Sequence, residues 1–138
     1  MNTITIKKEE NRAKEQAKSQ LESIVEMAGR LNKADQGDDE DERDEARTAI
    51  HEDPLSVEVR TDWHTLDAED QKPTHYRILL ACGGPAVQII GELSEHLEPE
   101  TAVLQYQDWG TPWTEYHGTT NSEDKALLDY AQTFYFGE

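Results

Sequence analysis

A single cysteine, Cys82, stands among 138 residues. That excludes an intrachain disulfide and the multi-thiol zinc patterns, and it fits a reducing compartment. Long apolar runs are lacking too. The longest, "ILLACGGPAVQIIG", is broken by Gly83, Gly84 and Pro85, far short of the roughly twenty residues of a spanning helix. The opening "MNTITIKKEENRAKEQ" has lysines but no apolar stretch behind them, so no secretory signal is expected and the cytoplasm is the expected location. Basic residues are scarce: 13 Lys and Arg stand against 30 Asp and Glu, a net of −17. Such a charge argues against direct binding to nucleic acid or anionic membranes. It favours a basic protein partner, including one that itself binds nucleic acid.

The deficit is uneven. Residues 1–33 carry seven basic and five acidic groups, residues 34–75 four and fifteen, and residues 76–138 two and ten. The chain length suits one domain that buries roughly two-thirds of its unfolded surface. Two regions divide it: residues 1–53, helical with an acidic second helix, and residues 54–138, a sheet followed by a helix.

From Thr5 to Ala34 there is no proline, and Gly29 is the only glycine. Ala13, Ala17, Leu21, Ile24, Ala28 and Leu31 recur every three or four residues, one stripe of a long helix. Thirty residues would reach about 45 Å. The first half offers only alanines to a core, so it is expected to project or to pair with a second copy as a homodimer. Gly37 ends this helix, and Asp38 or Asp39 caps a second. There Ala46, Ala49 and Ile50 make a narrow apolar face before Pro54, with half of the helix solvated or disordered.

After Pro54 the period becomes two. "LSVEVRTDW" alternates Val57, Val59 and Trp63 with polar residues, as a half-buried strand does. "HYRILLAC" and "AVQIIGEL" flank a "GGP" turn, "TAVLQYQDW" forms a fourth strand and "WTEYH" a short fifth. Short turns between consecutive strands demand antiparallel pairing. Val57, Val59, Ile78, Leu80, Val87, Ile89 and Leu104 are expected on the covered face. Asn121 or Ser122 caps a terminal helix that presents Leu127, Leu128, Ala131, Phe134 and Tyr135. The expected fold is α+β: a four- to five-stranded antiparallel meander with a long N-terminal helix, a short acidic helix and a C-terminal helix.

Candidate chemistry is sparse. Cys82 before two glycines could place a thiolate beside backbone amides, and five histidines could supply a base, which is the runner-up reading of a small enzyme or ligand-binding domain. The plainer reading is a small buried residue ending a strand. His51, His64, His75, His96 and His117 show no i, i+4 pair and no finger spacing, so neither a metal nor a cofactor is expected. The acidic run Asp38, Asp39, Glu40, Asp41, Glu42, Asp44 and Glu45 carries more. Carboxylates at every second or third helical position approach phosphate spacing, so the run can imitate a DNA backbone. The second candidate is the aromatic hairpin "DWGTPWTEY", with Trp109 and Trp113 placed to pair across strands as core or as a binding hot spot.

"IHEDPLSVEVRTDWH", "LLACGGPAVQIIGEL", "QYQDWGTPWTEY" and "YAQTFYFGE" together resemble a family of small uncharacterised proteins of bacteria, phages and other mobile elements. The resemblance covers the chain from about His51 onward. It implies no activity, cofactor or site residue, but its setting suits an inhibitor of host defence, of anti-restriction or anti-CRISPR type. The expectation is a non-enzymatic interaction protein that acts as a DNA mimic.

Overall fold

The computed structural model describes residues 3–69, 72–83, 85–108 and 110–136, with side chains from Arg12 onward. Three helices, α1 (Thr3–Gln36), α2 (Glu40–His51) and α3 (Asn121–Gln132), accompany five strands. These are β1 (Ser56–Arg60), β2 (His75–Ala81), β3 (Ala86–Glu92), β4 (Val103–Gln107) and β5 (Thr114–Glu115), each antiparallel to its neighbour in the order β1-β2-β3-β4-β5. The fold is α+β, as the change of hydrophobic period requires.

Register decides which side chains meet the helices. Val57, Ile78, Ile89 and Leu104 lie side by side across four strands, as do Val59, Tyr76 and Gly91. α1 packs over β3 and β4, with α2 and α3 against it. Ile78, Leu80, Val87, Ile89 and Leu104 are accordingly buried. Val57 and Val59 are not, being 39% and 49% exposed. They share the covered face, but β1 is an edge strand beyond the reach of the helix layer. Trp63, expected on the same buried row, lies past the end of β1 and is fully exposed.

The alanine half of α1 is a second correction. Ala13 and Ala17 are buried, and the stripe continues through Leu21, Ile24, Ala28, Leu31 and Ala34. From Ala13 onward the stripe is covered within the chain and does not project. Alanine is what lets a helix approach a sheet and two neighbouring helices this closely.

The terminal helix is capped one residue earlier than expected. Thr120 Oγ1 accepts from the Glu123 amide (3.1 Å), and the Glu123 carboxylate accepts from the Thr120 amide (2.9 Å), a reciprocal capping box. Its buried face is Ala126, Leu127, Tyr130 and Ala131, whereas Tyr135 lies past the helix and is exposed. Two bonds tie α3 to the end of α2: Tyr130 donates to Asp53 Oδ2 (2.7 Å) and His51 Nε2 donates to the Thr133 carbonyl (2.7 Å).

Candidate interaction surface

The acidic run is a folded, anchored helix. Asp39 is its N-cap and accepts from the amides of Asp41 (2.9 Å) and Glu42 (3.4 Å). Glu40, Asp41 and Glu42 fill the first turn, where the helix dipole favours negative charge. Ala46 and Ile50 are buried against α1 and the core. With that face fixed, 100° per residue turns Glu40, Asp41, Asp44 and Glu45 outward. All seven carboxylates, Asp38, Asp39, Glu40, Asp41, Glu42, Asp44 and Glu45, are exposed. Of the two expectations for half of this helix, solvated or disordered, the first fits: Ala46 and Ile50 are buried and the outer face is solvated.

Three exposed ion pairs border the helix: Arg30 with Glu45 (3.6 Å), Arg43 with Glu40 (4.0 Å) and Arg47 with Asp35 (3.9 Å). Pairs of this exposure add little stability. They trim the local charge without cancelling it, because Asp38, Asp41, Glu42 and Asp44 stand outside these pairs.

The aromatic hairpin divides differently. Trp109 lies outside the described residues. Trp113 is half-buried. The β4–β5 register sets Gln105 opposite Glu115 and Tyr106 opposite Thr114, and Trp113 stands one residue ahead of β5. The expected pairing of Trp113 with Trp109 therefore falls outside the described residues. Thr111 holds the turn: its hydroxyl donates to the Asp108 carbonyl (2.9 Å), and the Gln107 amide donates to the Thr111 carbonyl (2.7 Å).

Trp113 belongs to the sheet face away from the helices. There, with Ile90, Val103, Arg77 and Gln88, it lines a groove of about 460 Å³. Gln88 is only 4% exposed; its Nε2 donates to Gln105 Oε1 (2.7 Å), while its own Oε1 has no hydrogen-bond partner among the described residues. Sequence reading passed over this groove. Its signal was one glutamine in the otherwise apolar "AVQIIG".

Cys82 is exposed, not buried. Gly83 beside it has φ +97, the left-handed turn that glycine was expected to supply, and Gly84 lies outside the described residues. The histidines are dispersed. His51 stacks at 5.3 Å on Phe134, His64 donates to the Thr65 carbonyl (3.0 Å), His75 pairs with the Thr74 hydroxyl (2.8 Å), and His117 lies 3.9 Å from Glu115. Among the described residues no three His, Cys, Asp or Glu side chains converge as a metal site would need, and no helix is long and apolar enough to cross a membrane. No protein-family model, curated protein or solved structure matches the chain.

Proposed function

We propose that the chain is a non-enzymatic, cytoplasmic interaction protein whose acidic helix α2 docks on a basic protein surface in the place of nucleic acid. Its target would be a nucleic-acid-binding complex of host defence, of anti-restriction or anti-CRISPR type. The observation that supports this reading is the presentation of five exposed carboxylates, Glu40, Asp41, Glu42, Asp44 and Glu45, on a helix capped by Asp39 and anchored by Ile50, with exposed Asp38 and Asp39 just ahead of it. On the outward face Glu40 with Asp44, and Asp41 with Glu45, form two rows of about 6 Å axial spacing. Alternate phosphates along one DNA strand repeat about every 6.8 Å. A preformed helix also binds without the ordering cost that a disordered acidic tail would carry.

The test uses the immobilised chain, extract from the host, and stepped salt. The partner should be retained at low salt, released as salt rises, and displaced by duplex DNA. A variant with all seven carboxylates changed to amides should lose it, chiefly through slower association, since long-range charge acts on the on-rate. Asp39→Asn keeps an N-cap acceptor, so this variant remains folded. Equal retention of the variant and the wild type at low salt would reject the reading. A surface centred on Trp113 makes the opposite forecast: little salt dependence, and rapid dissociation after Trp113→Ala.

A further inference from the structure

We propose that β1 is the contact edge of a symmetric dimer, in which the strand pairs antiparallel with β1 of a second copy around Val59. Among the described residues the strand has a neighbour on the β2 side only, and Val57 through Arg60 are all exposed. Natural edges are blunted by short strands, by charged side chains, by proline, by bulges or by a covering loop. β1 has no proline, pairs with β2 without a register shift, and carries one charge of each sign, Glu58 and Arg60.

Its free backbone groups can be assigned. The Arg60 carbonyl accepts from the Thr74 amide (2.9 Å) and the Leu79 carbonyl from the Leu55 amide (2.8 Å), so both point into the β1–β2 ladder. Leu79 lies opposite Ser56 and His75 opposite Arg60. Antiparallel alternation then turns the amides and carbonyls of Ser56, Glu58 and Arg60 inward. Those of Val57 and Val59 point outward, to the edge that no described strand pairs with.

Charge selects the register. With Glu58 opposite itself, two carboxylates meet; with Arg60 opposite itself, two guanidinium groups meet. With Val57 opposite itself, Pro54 would face Arg60 across the new ladder. With Val59 opposite itself, each Glu58, whose Oε1 already accepts from Arg77 of its own chain (2.9 Å), also faces Arg60 of the second copy, which gives two favourable cross-strand pairs. The outward groups of the two Val59 residues then bond each other. The same register sets Val57 opposite Thr61 and, continued past the strand, Leu55 opposite Trp63. It thereby covers apolar side chains that are 39% to fully exposed in the single chain. This inference is independent of the acidic helix. Its salt response is also opposite: two chains of net −17 repel, so added salt should strengthen the dimer.

Sedimentation velocity of the full chain at 0.15 M salt and above should show a species of twice the 15.7 kDa chain mass that grows with concentration. Glu58→Lys alone and Arg60→Glu alone should each be monomeric, because each homodimer would set like charges face to face. An equimolar mixture of the two should regain the doubled mass, because every cross-strand pair is then of opposite sign. Hydrogen exchange on the wild type needs no variant: the Val57 and Val59 amides should slow by about tenfold or more from dilute to concentrated samples. A wild type that stays monomeric, single variants that still dimerise, a mixture that stays monomeric, or unprotected Val57 and Val59 amides would each overturn the proposal.

Discussion

Gly91 sits where the Tyr76 ring crosses from β2 to donate its hydroxyl to the Thr101 carbonyl. A Cβ on Gly91 would collide with that carbonyl and lie 2.6 Å from the Tyr76 ring. Gly91→Ala should therefore destabilise the fold by about 1–3 kcal/mol, the usual cost of overpacking, read as a lower urea midpoint. Tyr76→Phe, which removes only the hydroxyl, should cost about 0.5–1.5 kcal/mol. Burial pushes the Tyr76 hydroxyl pKa above its ordinary value of 10.0. Tyr130 is raised further, by burial first and then by its hydrogen bond to, and the charge of, Asp53. The folded chain keeps these protons where the unfolded chain releases them. Stability is therefore full below about pH 10 and declines as pH rises beyond it. Urea melts above that pH should show the decline, and Tyr130→Phe should flatten it. Cys82 offers a contrast. Exposed on its turn, Cys82→Ser should change stability by less than about 0.5 kcal/mol and leave partner binding intact.

Each helix is held by a different device. α3 depends on the capping box of Thr120 and Glu123, and Thr120→Ala should cost about 1 kcal/mol in stability, measured by thermal melting. α2 depends on Asp39 at its start and Ile50 beneath it. Ile50→Ala should cost about 2–5 kcal/mol, while Asp44→Asn on the outer face should be nearly neutral for the fold. The Asp39 cap and the apolar stripes were legible in the sequence because they are local: a side chain and an amide two or three residues away suffice; the α3 cap was placed one residue late. The Trp109–Trp113 pairing was less legible. Turn length sets which residues of a hairpin face each other, and Trp109 lies outside the described residues. For the candidate surface, the run from Asp38 to Glu45 could be read directly, because exposed charge at a helix start is a local property. The groove at Gln88 could not, since it arises from strands β1 to β4 and the segment leading into β5 together.

At the scale of the molecule, a net charge of −17 on 138 residues makes the folded chain repel itself. Raising salt from about 10 mM to 150 mM should raise the melting temperature, as the Debye length falls from about 30 Å to 8 Å. Partner binding through α2 should weaken over the same range, so the two responses separate in one salt series. Composition and period by themselves determined the element order, the antiparallel meander, the Asp39 cap and the side of the sheet on which the strand residues lie. Those properties follow from backbone geometry over a few neighbours. Tertiary structure alone decided what covers each face. Val57 and Val59 share a row with Ile78 and Tyr76 yet stay exposed, because the helix layer stops short of the edge strand. Ala13 and Ala17 are buried because the same layer is centred over β3 and β4. Alternation names a side; only the placement of a second layer says whether that side is dry.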